Sequence, residues 1–297
     1  MQGVERVKRK ILLLGGSGLV GRAIAAALQD EYQIIPTAGH HEPEGGYCLP
    51  IDDTAKLRNI LERENPDTVI SSLRGDFPAQ MTFHTVLADE LAGTGKRLLY
   101  ISTANVFDGD LSRPRTEEDP PAPESDYGIF KRDCEAMLQN FLGDRLIIFR
   151  LPSVWNKNCP RIQQLRADSQ SGTPHRTYAN DRVNVVYSRQ IGAWAQYVLE
   201  RNLHGVFHVG TVDMVDYYAF ERMVCDALSI KQPEFEITQA NPAAFQAVLP
   251  SRSEIPDALQ MTVRQVLAEF VDRPQPSAAN RQSAAAACEE PARAGFR

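Results

Sequence analysis

The stretch Lys10-Ile11-Leu12-Leu13-Leu14-Gly15-Gly16-Ser17-Gly18-Leu19-Val20-Gly21 decides the fold. Four successive large apolar residues read as a strand buried on both faces, and the glycines lead straight into a helical pattern. Each glycine relieves a different steric limit. Gly15 permits a tight turn, Gly18 lets a phosphate approach the backbone, and Gly21 allows the helix to pack close to the strand. The helix start offers free N–H groups and a positive dipole end to an anion. Strand, turn and helix in this order predict a dinucleotide site.

Downstream of this unit apolar runs alternate with period-3.6 segments. Strands are predicted near Gln33–Pro36, Asp67–Ser72, Arg97–Ser102 and Arg145–Arg150, with helices near Leu19–Gln29, Thr54–Glu64 and Thr82–Leu91 and a further one carrying Tyr127 and Lys131. This βα order predicts an α/β protein with a doubly wound parallel sheet. We expect residues 1–155 to form the dinucleotide-binding part. Residues 156–272 should form mainly a smaller C-terminal substrate lobe, with some elements returning to the main sheet. That region contains an apparent strand Val183–Tyr187, helix Gln190–Leu199, strand Gly205–Val209, helix Tyr217–Leu228 and an amphipathic helix near Pro256–Val271. Residues 273–297, rich in Ala, Pro, Ser and Gln, read as a disordered tail.

The composition narrows the function classes. A chain of 297 residues with 43% hydrophobic content can bury a full core. The net charge of −6 comes without a basic or acidic block, which argues against nucleic-acid and anionic-membrane partners and for small-molecule chemistry. Five scattered cysteines with no C-x-x-C pair read as reduced thiols in a cytoplasm, and no Cys/His clustering suggests a metal. Lys8-Arg9-Lys10 before an apolar run loosely imitates a secretory leader, but the glycine pattern explains the run better. No apolar run approaches the ~20 residues needed to span a bilayer.

Tyr127 and Lys131 stand four residues apart, so on a helix they share one face, and Ser102-Thr103 closes an apolar strand upstream. A phenol, an ammonium and a hydroxyl gathered around a nicotinamide would give a proton to a carbonyl oxygen, or take one from an alcohol, while hydride moves. An acidic residue about 20 positions beyond the first glycine would hold an NAD ribose. That region reads Pro36-Thr37-Ala38-Gly39-His40-His41 and carries no carboxylate. NADP is therefore favoured over NAD, with His40, His41 or Arg22 able to meet a 2′-phosphate.

With Ile11–Gly21, Tyr100-Ile101-Ser102-Thr103-Ala104-Asn105-Val106-Phe107-Asp108-Gly109, Tyr127–Lys131 and Arg150–Trp155 in place, the chain resembles the extended short-chain dehydrogenase/reductases. Within them it is most similar to the dTDP-4-dehydrorhamnose reductases and related sugar-nucleotide-binding proteins. The resemblance implies a Rossmann fold and an NAD(P)-dependent oxidoreductase that reduces a keto group of a nucleotide-activated sugar. It implies that Thr103 hydrogen-bonds the substrate carbonyl, with Ser102 a lesser neighbour. Tyr127 would be the general acid, and Lys131 would hold the nicotinamide ribose and lower the pKa of the tyrosine. The implied cofactor set is Gly15, Ser17, Gly18, Leu19, Val20, Gly21, Ser72, Leu73, Tyr127, Lys131 and Ser153. Thr103, Asn105 and Arg182 would meet the substrate, Arg182 at its diphosphate. Dimers formed through paired helices are common in this family, so the resemblance makes a homodimer possible and leaves the oligomeric state open.

Several positions depart from the family pattern. Ala104-Asn105 stands where Asp-Tyr is usual, Gln80 where an Asn supports a proton-relay water, Pro50 where an acidic residue neighbours the adenine, and Arg189-Gln190 where Asp-Asp is frequent. Two alternatives therefore stay open: a sugar-nucleotide epimerase or dehydratase using the same triad, and a non-catalytic NAD(P)-binding regulatory subunit like that of methionine adenosyltransferase.

Overall fold

A computed structural model of the chain describes residues 8–271; the expected tail at 273–297 lies outside the described residues. Its elements, in chain order, are β1 (Arg9–Leu14), α1 (Leu19–Leu28), β2 (Tyr32–Ala38), β3 (Tyr47–Cys48), α2 (Thr54–Glu64), β4 (Thr68–Ser71), α3 (Phe77–Leu91), β5 (Arg97–Thr103), α4 (Asp126–Leu142), β6 (Leu146–Leu151), β7 (Ser153–Trp155), α5 (Pro160–Ser171), β8 (His175–Val183), β9 (Val185–Tyr187), α6 (Ser188–Glu200), β10 (Gly205–His208), β11 (Val215–Asp216), α7 (Tyr217–Ala227), β12 (Phe235–Gln246) and α8 (Val263–Ala268). Seven strands form one sheet in the order β10-β6-β5-β4-β1-β2-β3, every pairing parallel. This is the doubly wound α/β sheet that the βα alternation predicts.

Side chains of a strand alternate between faces, and β1 shows the consequence. Ile11 and Leu13 pack with Ile24 and Leu28 of α1 and with Ile191, Trp194 and Val198 of α6. Leu12 and Leu14 pack on the other face with Leu57 and Ile60 of α2, Phe83 and Leu87 of α3, and Leu138 of α4. Elements from beyond residue 155 thus complete the main sheet, since α6 covers one face and β10 extends the edge beside β6.

A three-stranded sheet (β11-β8-β12) and a two-stranded one (β7-β9) stand over the carboxyl ends of the main strands. Trp155, Ile162, Leu165, Val185, Phe220 and Val224 give this smaller region its own core. The expected strand Val183–Tyr187 is divided at Asn184. This side chain is fully buried and bonds the Thr211 and Val248 carbonyls at 3.1 and 2.7 Å and the Val248 N–H at 3.0 Å.

The expected helix Pro256–Val271 is mostly absent. Asp257–Leu259 is a 3-10 turn, the Leu259 carbonyl accepts from Trp194 Nε1 at 2.9 Å, and the Met261 carbonyl accepts from Val212 N at 2.9 Å. With those carbonyls committed to tertiary bonds, a helix starts only at Val263, behind a capping box of Thr262 and Gln265. Helix α3 differs in the opposite sense, beginning at Phe77 rather than Thr82. Asp76 caps Ala79 N at 2.9 Å, and Pro78 sits in the first turn, where its missing N–H is no loss.

His175 is buried between two carboxylates, with Nε2 3.2 Å from Glu221 and Nδ1 2.7 Å from Asp168. The Glu221 bond is the largest influence; although burial opposes it, the two acids together raise the imidazole above its usual value. A raised folded pKa contributes stability that is fully present below the unfolded value of 6.5 and lost as pH rises through the folded one. The urea midpoint should therefore fall across that window in the wild type, whereas His175→Asn should show a weaker pH dependence there.

Candidate functional site

One cleft of about 720 Å³ runs between the carboxyl ends of the main strands and the smaller region. In open parallel sheets ligands bind at the point where the strand order reverses. Here that point lies between β1 and β4, whose following turns hold Gly15–Gly21 and Ser72–Arg74.

At the β1 turn Gly15 has φ +78°, the left-handed region that favours glycine. Ser72 Oγ donates to the Leu14 and Gly15 carbonyls at 3.0 and 3.2 Å, and Gly16 N donates to Thr37 O at 2.9 Å. A Cβ on Gly21 would overlap the Gly15 carbonyl oxygen, so only glycine lets the helix sit this close to its strand. Gly18, Leu19 and Val20 line the cleft, as do Ser72, Leu73 and Ser153. Ser17 is exposed and outside the lining; its carbonyl instead accepts from Arg22. Ser153 Oγ is buried without a partner among the described residues, as expected of a group reserved for a ligand. An uncapped helix N-terminus, a glycine cradle and an orphan hydroxyl fit a dinucleotide. Gly21→Ala should abolish retention of a nicotinamide nucleotide, read by calorimetric titration of the folded variant.

Thr103 ends β5 in extended backbone, with its Oγ1 accepting from Asn105 N at 3.2 Å and donating to Asn105 Oδ1 at 2.9 Å. Ser102 points the other way and is bound to the Glu135 carboxylate, which leaves Thr103 as the hydroxyl beside Tyr127. Helix α4 starts at a Ser125 cap whose Oγ accepts from Gly128 N at 3.0 Å, and Asp108 ties that cap to the turn after β5 through the Glu124 and Ser125 N–H groups. A Cβ on Gly128 would overlap the Asn105 carbonyl. Glycine within the Tyr127–Lys131 turn therefore lets the helix close on β5 and brings the phenol to Thr103. The Tyr127 ring packs against Phe77, 5.7 Å between centroids, and Phe77 stacks on Phe130 at 4.9 Å.

Electrostatics differ from the sequence expectation at this point. Tyr127 is 37% exposed, yet its hydroxyl end is in the cleft, and burial pushes the phenol above its ordinary value. The Arg74 charge and the nearby Thr103 hydroxyl oppose that rise only in part. Lys131 does not supply the lowering charge. Its buried Nζ donates to the Ile101 carbonyl at 3.0 Å and lies 4.6 Å from the Tyr100 ring centroid, and burial brings its pKa down to about 8. Both side chains still line one cleft, but the cation acting on the phenol is Arg74, to which no motif drew attention.

Beneath them Glu135 of α4 and Arg150 of β6 form a buried ion pair at 2.7 Å. Gln80 donates to the Gly75 carbonyl at 2.8 Å, and its own carbonyl lies 2.7 Å from His84 Nδ1. Arg189 reaches outward to Glu269 at 2.6 Å.

A profile described as "RmlD substrate binding domain" matches residues 74–286, well over half of the chain. The chain belongs to this RmlD substrate-binding-domain family. A dTDP-4-keto-6-deoxy-D-glucose reductase of Streptomyces niveus is 26% identical over 236 residues, covering 71% of this chain and 76% of that protein. Methionine adenosyltransferase 2 subunit beta of Xenopus laevis is 30% identical over 161 residues, half of this chain and 47% of that one. Among solved structures, a Bacillus anthracis dTDP-4-dehydrorhamnose reductase in complex with NADP superposes with TM-score 0.76. It is 17% identical, and the superposition covers 89% of this chain and 98% of that one; at such identity it speaks for the fold.

Within this RmlD-family chain the substrate side of the cleft differs from expectation. Arg182 is exposed and outside the lining, because its strand neighbours Asp181 and Val183 take the inward face of β8. Asn105 does line the cleft. Arg161, at the start of α5, also lines it, with its guanidinium 5.6 Å from the centroid of the buried Trp155 ring. Tyr178, Asp181, Tyr217 and Gln246 complete this end. None of these could be singled out before the smaller sheet was known to face the β5 turn. Among the described residues no helix is long and apolar enough to cross a membrane.

Proposed function

We propose that the protein is an NAD(P)-dependent oxidoreductase that reduces a keto group of a nucleotide-activated sugar, and that it works in the cytoplasm. The observation carrying this reading is the convergence of the Thr103 and Tyr127 hydroxyls in the same cleft that Gly18–Val20 enter. The names of the reductase relatives support the substrate class.

A bound nicotinamide would supply the hydride. The role of this chain is to hold the reacting carbonyl and provide the proton. Thr103 Oγ1, on exchanging its bond to Asn105 Oδ1, would donate to a keto oxygen, and the Tyr127 phenol, kept protonated by burial, donates its proton as charge builds on that oxygen. Lys131, turned toward the β5 end, has two further N–H donors for a ribose. Gly15, Gly18 and Gly21 shape the diphosphate seat of the cofactor, with Leu19, Val20, Ser72, Leu73 and Ser153 as its walls. With β2 ending in Thr37-Ala38 and no carboxylate from Pro36 through His41, NADP is favoured, NAD remaining compatible.

Arg161 supports recognition of the substrate diphosphate better than Arg182 does. It faces the cleft, and no carboxylate forms an ion pair with it among the described residues. A planar guanidinium suits phosphate oxygens. The reading is tested by following nicotinamide absorbance with a dTDP-4-keto-6-deoxy sugar and NADPH or NADH. Cofactor oxidation is expected, and none across a panel of keto sugar nucleotides would overturn it. A regulatory subunit is the second reading, favoured by the similarity to methionine adenosyltransferase 2 subunit beta and by a lysine whose ammonium is already committed to the Ile101 carbonyl. Stable co-purification with a larger enzyme and no turnover would select it.

A further inference from the structure

We propose that Asp181 determines substrate specificity by binding a hydroxyl of the sugar through its free oxygen Oδ1. The inference rests on the sugar-nucleotide reading above and names a residue that reads the sugar. Asp181 is the inward-facing member of the Asp181-Arg182 pair on β8, 6% exposed and part of the cleft wall. Gln246 of β12 donates to its Oδ2 at 3.0 Å. Oδ1 is buried and has no partner among the described residues. A buried carboxylate oxygen left unsatisfied is costly, and a donor delivered by a ligand is the remaining way to satisfy it.

Among the described residues no cation stabilises this carboxyl. Burial and then the Asp216 charge on neighbouring β11 raise its pKa to about 6. Asp216 does not compete for the same donor, because its oxygens accept from Asn180 N at 2.7 Å and Ala219 N at 3.3 Å. From the other elements at this end, Tyr217 of α7 and Arg161 of α5 also line the cleft and influence one another rather than Asp181, and Arg182 faces solvent. A structural carboxylate would be expected to hold an ion pair or a cap, as Asp168 and Asp216 do. Asp181 does neither. Its second oxygen is held by Gln246, and the residue shares the wall of one cleft with Arg161 and Thr103. A group bridging a diphosphate and a carbonyl in a nucleotide sugar is the sugar ring, whose hydroxyls are donors.

Hydrogen bonds to an ionised acceptor exceed those to a neutral one. Above pH 6 the carboxylate should therefore grip a sugar hydroxyl more strongly than it does below. The test is calorimetric titration of the NADP-loaded protein with dTDP-glucose and with dTDP, at pH 5 and pH 7.5. For the wild type we expect dTDP-glucose to bind about tenfold more tightly than dTDP at pH 7.5, with the preference reduced at pH 5. Asp181→Asn preserves size and removes the buried charge and its repulsion with Asp216, so the fold should hold, as unchanged dTDP affinity would attest. The preference and its pH dependence should both disappear in this variant. Should Asp181→Asn keep the wild-type preference and pH course, this inference alone is overturned. If the wild type binds neither ligand, the proposed function falls and the inference falls with it.

Discussion

Tyr127→Phe is expected to lower kcat by roughly 10²- to 10⁴-fold, the range associated with one positioned general acid, while leaving the thermal midpoint and cofactor affinity close to wild type. The ring is held by Phe77, so packing survives loss of the hydroxyl. The group lost is the one that faces the Thr103 hydroxyl, whose influence also helps offset the rise burial imposes on the phenol. Arg74 is the other opposing influence. Arg74→Gln should consequently raise the Tyr127 pKa further and move any alkaline limb of the rate profile upward. Steady-state rates with matched thermal melts check both statements. Unchanged turnover in Tyr127→Phe would remove the phenol from the chemistry and leave Thr103 without its partner.

The parts of the molecule that were legible in the sequence are those whose burial writes a strong local pattern. Lys10–Leu14 is buried on both faces and could be read as nothing but a central strand, and the glycine spacing located the turn because a Cβ at Gly21 has no room. Helix α2 was legible to its ends. Asp53 caps Lys56 N at 2.9 Å, and Leu57, Ile60 and Leu61 mark one face. By contrast β8 runs His-Arg-Thr-Tyr-Ala-Asn-Asp-Arg-Val, a half-buried strand with few apolar residues, and α5 buries only Ile162, Leu165 and Asp168. Neither carries a periodicity that separates it from a loop. The candidate site divides along the same line. Thr103, Tyr127 and Lys131 lie at strand ends or in a helical turn tied to the βα repeat, so local spacing finds them. Asp181 and Arg161 come from the poorly patterned region and acquire meaning only once β8, β12 and α5 stand over the main sheet. The orientation of Lys131 was beyond the sequence for another reason: which carbonyl a long flexible side chain reaches depends on the packing around Tyr100 and Ile101, not on its spacing from Tyr127.

Glu135→Gln should lower stability by about 3–5 kcal/mol, the cost of leaving a buried charge without its counter-ion. The pair joins α4 to β6 directly below the candidate site. Arg150 gives Nη2 to Glu135 Oε2 at 2.7 Å and Nε to both oxygens at 3.2 Å, and both residues are almost wholly enclosed, with 4% and 5% exposure. An amide keeps the volume but provides one acceptor oxygen instead of two, and it carries no charge to balance the guanidinium. Arg150 has little alternative compensation, because its Nη1 is already unsatisfied and its nearest other partner is the Phe107 ring at 5.1 Å. Urea unfolding of Glu135→Gln should show the loss, and replacing the pair together by Glu135→Gln with Arg150→Met should recover much of it, since burial without charge is less costly than burial of one ion alone. Glu135 also raises the Lys131 pKa, against the burial that depresses it. Its loss should therefore let the ammonium release its proton below the present value of about 8, and any rate dependence on that charge would shift to lower pH. A double variant no more stable than Glu135→Gln would mean that the glutamate acts on the fold through Ser102 rather than through Arg150.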